Sequence, residues 1–107
     1  LNSPLIYHYD EACTKRCPVN EHGVPIIDWG ETIPGQLKET ILYLKNKTED
    51  RLILRQPYSN DEDHKIVDYP PMLMGKEKGR KVVLHFEPNS ERIDPLKTDW
   101  GFDVVIG

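Results

Sequence analysis

Short runs in which apolar residues fill every second position recur along this chain, and each is soon cut by proline, glycine or a polar cluster. A period of two marks a half-buried strand, because successive side chains of extended backbone point to opposite faces. Residues 81–86 carry it most cleanly, with Val82, Leu84 and Phe86 alternating against Val83 and His85. In residues 37–45, Leu42 and Leu44 face one way while Ile41 and Tyr43 face the other. Residues 51–55 put Leu52 and Leu54 on one face, and residues 100–106 set Phe102, Val104 and Ile106 against Asp103 and Val105. Residues 5–9, residues 25–29 and a weaker run over 65–69 read as further strands, and Met72-Leu73-Met74 leads from Pro70-Pro71 into a glycine turn over 75–79. The one stretch of helical composition, residues 37–47, contains Thr40, Ile41 and Tyr43 and follows Pro34-Gly35, which favours a strand. Six or seven short strands, punctuated by nine prolines and seven glycines, predict an all-β chain of two antiparallel sheets packed face to face.

A length of 107 residues suits one domain. The alternating pattern weakens towards the N-terminus, so the chain divides into an arm, residues 1–24, and a strand-rich body, residues 25–107. The arm holds both cysteines and two of the four histidines. Two cysteines cannot supply a disulfide framework, which leaves apolar packing to hold the fold. Leu5, Ile6, Tyr7 and Tyr9 are costly to leave in water, so the arm is expected to add a strand to a sheet edge, on its own sandwich or on a neighbouring subunit. A net charge of −4 argues against nucleic acid or an anionic membrane as the default partner. No apolar run approaches the ~20 residues that span a bilayer, and no signal peptide is visible. A soluble protein is the expectation, in a compartment the sequence leaves open.

The body resembles the immunoglobulin-like domains of the major-sperm-protein and ASPM–SPD-2–Hydin group. The likeness lies in Ile27-Asp28-Trp29-Gly30-Glu31, in the Leu-x-Asn turn of Leu42-Tyr43-Leu44-Lys45-Asn46-Lys47-Thr48 with the returning Arg51-Leu52-Ile53-Leu54, and in Gly79 to Pro88, which ends Phe86-Glu87-Pro88. Asn46 tolerates the turn backbone and can bond it with its own amide. Pro88 stops ladder pairing after Phe86. The resemblance implies an immunoglobulin-like sandwich of about seven strands that binds proteins, with no catalytic residues to carry over. The basic surface motif that membrane-contact adaptors of this group use for acidic peptides is not recognisable here. The closing Asp99-Trp100-Gly101-Phe102-Asp103-Val104 also resembles the last strand of CUB-like sandwiches, which leaves the fold class unchanged.

His8, Cys13, Cys17 and His22 form the one set worth a metal reading, since two thiolates and two imidazoles could complete a tetrahedral zinc site. The Cys-x3-Cys spacing is not the usual knuckle, and the alternatives are a local disulfide or ordinary unlinked side chains. His64 beside Asp61, Glu62 and Asp63 reads as a solvated loop, because the glycine and distant glutamate of a calcium loop are missing. Lys76, Lys78, Arg80 and Lys81, diluted by Glu77, read as a solvated turn. The Asn46-Lys47-Thr48 sequon is explained by the turn. Tyr7, Tyr9 and Trp29 are candidate interface residues, with Trp29 equally open to a core role, while Trp100 reads as a core residue.

The expected function is a non-catalytic structural or protein-interaction module within a larger protein or assembly, of cytoskeletal, ciliary or virion-accessory setting, with other protein subunits as partners and no cofactor. A peptide-binding adaptor is the alternative. A small metal-dependent enzyme that uses the Cys/His arm is the third reading.

Overall fold

In the computed structural model, which describes residues 4–89 and 100–107, the alternating runs become seven strands. They are β1 (Leu5–His8), β2 (Lys38–Asn46), β3 (Leu52–Ser59), β4 (His64–Asp68), β5 (Met72–Leu73), β6 (Lys78–Phe86) and β7 (Trp100–Ile106). No helix forms among the described residues. One sheet has the order β1-β2-β6-β4 and the other β5-β3-β7, and every pairing is antiparallel. The protein is an all-β sandwich of four strands on three. The loop expected through Pro95 lies outside the described residues, as do residues 1–3 and Asp99.

The inward residues are those the alternation selects. Leu42 and Leu44 of β2, with Val82, Leu84 and Phe86 of β6, meet Leu52 and Leu54 of β3, Leu73 of β5 and Trp100 of β7 in one buried cluster. Each such side chain withdraws enough apolar surface to contribute roughly 1.5–3 kcal/mol. Ile106 breaks the pattern. It pairs in register with inward Leu52 but remains 72% exposed, because it closes an edge strand.

β1 pairs with β2 over the register Leu5↔Asn46 to His8↔Tyr43, so the N-terminal segment completes the four-stranded sheet of this same chain. Leu5, Tyr7, Cys17 and Val24 belong to the same core as the body. The outer edge of β1 is in turn covered by the loop behind it. The Cys17 N–H donates to the Tyr7 carbonyl at 2.8 Å, the Tyr9 N–H donates to the Lys15 carbonyl at 2.8 Å, and His8 bridges Arg16. Asp10 organises that loop by accepting the Thr14 and Lys15 N–H groups and the Thr14 hydroxyl, which holds its carboxyl at about 2.

Residues 25–29 are not a strand. Pro25, Ile27 and Trp29 are buried in alternation with exposed Ile26 and Asp28, yet the only pairing is an isolated bridge, Val19↔Pro25. Pro25 has no N–H to give a ladder. The Asp28 carboxylate accepts the Gly30 N–H at 2.8 Å and bends the chain away. The segment closes one end of the sandwich and brings Trp29 over Phe86.

Asn46 is fully buried at the end of β2. Its amide donates to the carbonyls of Asp50 (2.7 Å) and Met74 (2.9 Å), and its oxygen accepts the N–H and hydroxyl of Thr48 at 2.9 and 2.8 Å. One side chain thus joins the β2–β3 turn to the turn before β6. The expected solvated turn at Lys76 takes a left-handed backbone there, φ 61°, and Arg80 pairs with Glu77 at 2.8 Å.

Candidate functional site in the groove between β3 and β4

The β3–β4 connection crosses from one sheet to the other and leaves two strand edges open. β5 pairs only with Leu52 and Ile53 of β3, and the Leu54 N–H bonds the Pro71 carbonyl. From Arg55 onward no described strand covers that side of β3. β4 is the edge of its own sheet and pairs only with β6 among the described residues. Residues of both edges line one groove of about 450 Å³, among them Pro57 of β3 and Ile66 and Val67 of β4, with Tyr69 just beyond, while the Tyr58 ring lies over Gly101 of β7. Tyr58 and Val67 are 52% and 48% exposed. Apolar side chains beside unpaired backbone are what a strand-addition site offers, main-chain bonds for affinity and side-chain pockets for selectivity. Both edges also carry devices that oppose indiscriminate pairing: Lys65 on β4, Pro57 on β3, and register shifts at Ile66/Asp68 and Leu54/Pro57. Val67 and Lys65 also border a second hollow of about 410 Å³ with Leu37, Glu62, Asp63 and His85.

His64 forms the inner wall of the groove, and it is not the solvated loop residue that the neighbouring acids suggest. It is 2% exposed. Its ring lies 5.6 Å from the Trp100 ring and 6.1 Å from the Trp29 ring, centroid to centroid. Trp29 stacks on Phe86 at 5.3 Å, and Tyr7 meets Trp100 edge-on at 5.6 Å. Glu62 is exposed and Asp61 and Asp63 are half-buried in the loop, while the next residue begins β4 and turns in. Burial drives the imidazole pKa down to about 4, against a smaller opposing pull from Asp61.

Ser59, His64 and Asp61 resemble a hydrolytic triad in composition but not in arrangement. Ser59 Oγ stands 3.5 Å from His64 Nδ1 and is bonded instead to the Asp61 backbone, donating to its carbonyl at 3.1 Å and accepting its N–H at 3.2 Å. His64 Nε2 is buried with no hydrogen-bond partner among the described residues. A base held at about 4, with no carboxylate to orient it, is a poor acceptor for a serine proton at neutral pH.

The sequence-derived candidates lie elsewhere. His8 is buried on β1, its pKa lowered by that burial. Cys13 is a half-exposed free thiol at a left-handed position, φ 58°. Cys17 is a buried free thiol with Sγ 3.5 Å from the Pro18 carbonyl and 3.7 Å from that of Ile26, and burial pushes its pKa up. His22 is exposed, 3.4 Å from Glu21. Among the described residues no three His, Cys, Asp or Glu side chains gather as a metal site would require, so the structure does not bring His8, Cys13, Cys17 and His22 together. Of the interface candidates, Tyr7 and Trp29 are committed to the core and Tyr9 is 49% exposed, with its hydroxyl bonded to Cys17 and its pKa raised to about 12.

No family model, no curated protein and no solved structure matches this chain.

Proposed function

We propose that this chain is a non-catalytic protein-interaction module, an immunoglobulin-like sandwich of the kind the body resembles, which holds other protein subunits within a larger assembly. The groove carries the reading: two open strand edges border one cleft, and Val67 is exposed on its β4 side. Strand addition there would satisfy backbone groups and cover apolar surface in one step. The resemblance adds support where its residues have structural work, with Asn46 tying two turns and Phe86-Glu87-Pro88 closing β6. The Ser59–His64 pair is long, and its base is buried and weakened, which favours binding over catalysis. The cleft favours one narrower form of this function, an adaptor that takes a single extended peptide.

The test is affinity capture from an extract of the native host, comparing wild type with Val67→Asp and with Ile106→Asp. Val67 lies on the groove, and Ile106 is an exposed apolar residue on β7, outside it. The groove reading requires proteins that wild type and Ile106→Asp retain and Val67→Asp loses. Equal retention by all three would reject it.

A further inference from the structure

His64 combines four features that a purely structural core residue does not need together. It is the only buried titratable side chain at the β3–β4 crossover among the described residues. Indole rings of both tryptophans contact its own ring. One of its nitrogens has no partner among the described residues. It is also the first residue of an edge strand, directly after an acidic surface loop.

An imidazolium at this position would have indole and phenyl neighbours in place of water, and an unpartnered N–H in the core. Outside the core it would have the carboxylates of the Asp61-Glu62-Asp63 loop beside it. The groups around the ring are few. β3 presents Ser59, the loop presents the Asp61 carboxylate, β6 presents Phe86, the register partner of His64, β7 presents Trp100, and the residue 29 segment presents Trp29, whose carbonyl accepts Lys38 Nζ at 2.6 Å. Asp61 is the charged group that acts on His64, opposing the effect of burial. Hydrogen bonds hold the loop: the Asp61 carbonyl accepts the His64 N–H at 3.0 Å and the Ser59 hydroxyl at 3.1 Å, the Asp61 N–H donates to Ser59 Oγ at 3.2 Å, the Asp63 N–H donates to the Asp61 carboxylate at 3.0 Å, the Glu87 N–H donates to the Asp63 carbonyl at 2.9 Å, and the Asn89 amide reaches the Asp63 carboxylate at 3.4 Å. An outward swing of the loop and the start of β4 would break the Ser59–Asp61 bonds and the His64↔Phe86 pairing and hydrate the ring, with β2 and the rest of β6 and β3 left in place.

We propose that His64 is an acid-operated switch: its protonation releases the start of β4 and the Asn60–Asp63 loop from the Trp29–Trp100 aromatic cluster and opens the groove between β3 and β4. The sign follows from linkage. The closed state holds the histidine at about 4, and the open state returns it to the ordinary value near 6.5. The closed form therefore has its full advantage above pH ~6.5 and loses it as pH falls towards ~4, by up to about 300-fold in the closed-to-open ratio. Edge strands and surface loops open at lower free energy than central strands.

Trp29 and Trp100 are the only tryptophans, and both touch His64, so tryptophan fluorescence reports on the switch. The experiment follows fluorescence and far-ultraviolet circular dichroism of the wild-type chain from pH 7.5 to 4, with the imidazole NMR shift of His64 recorded in parallel. The expected result is a fluorescence transition between pH 6.5 and 4 that coincides with the His64 shift while the strand signal persists. His64→Phe, which keeps a ring and cannot titrate, should lack the transition. A strand signal lost in the same step would make the event global unfolding and overturn the proposal. So would an unchanged fluorescence down to pH 4, a His64 shift that does not coincide with it, or a His64→Phe transition identical to wild type. The wild-type NMR comparison decides the matter even if the variant does not fold.

Discussion

Phe86 and Val83 lie three residues apart on β6 and face opposite ways. Phe86 is fully buried under Trp29, while Val83 is half-buried on the outer face opposite Ile41. Phe86→Ala should cost roughly 3–5 kcal/mol, and Val83→Ala clearly less. Urea denaturation of the two variants checks the order, and equal losses would mean that the strand's facing is wrong. Asn46→Ala removes both amide donors and the acceptor for Thr48, leaving the Asp50 and Met74 carbonyls short of partners. A loss of about 2–4 kcal/mol is expected. Asn46→Asp should cost at least as much, because it turns a carboxylate on two carbonyl oxygens. Denaturation midpoints of Asn46→Asp and Asn46→Ala test this, and an Asp variant as stable as wild type would refute the turn-joining role. Phe86 and the turn-bonding part of Asn46 were legible from alternation and side-chain chemistry. The inward turn of His64 was not, because three acidic neighbours dominate the local composition, and burial there depends on Trp29 and Trp100 arriving from distant parts of the chain.

Strands β2, β3, β6 and β7 are legible because Leu, Val, Phe or Trp fills two or three successive inward positions in each, although Asn46 at the end of β2 and Ile106 at the end of β7 depart from that pattern. Residues 25–29 show the limit of the same reasoning. Their burial alternates as it does in a strand, but a proline and a side-chain–backbone turn keep them out of any ladder, and periodicity reports burial rather than pairing. The metal reading of His8, Cys13, Cys17 and His22 came from residue types alone, whereas the β1 edge and its covering loop send those side chains to different places. The open edges behind the groove had no signal in the sequence, since they follow from β5 being only two residues long and from β4 standing last in its sheet. Deleting residues 1–23 tests the role of the arm. It removes β1, Tyr7 from Trp100 and Cys17 from the core, so the truncated chain should be markedly less stable in thermal unfolding, with two unprotected sheet edges where one was covered. A truncated chain of unchanged stability would make the arm a passive tail.

At the scale of the whole molecule, two antiparallel sheets share one core, and a row of rings from Phe86 through Trp29, His64 and Trp100 to Tyr7 links them at one end. Far-ultraviolet circular dichroism should therefore be strand-dominated. A spectrum with about one-third helix, the share in an average mixed domain, would contradict the fold. What the sandwich leaves open is the groove where the chain crosses between its sheets, and the proposed interaction depends on that place. The most direct measurement is site-specific photo-crosslinking in the native host, with a photoreactive amino acid at position 67 in one chain and at position 106 in another. Adducts to another protein from position 67, and none of the same adducts from position 106, are the predicted result. No adduct from position 67, or the same adducts from both positions, would contradict a role for the groove in binding.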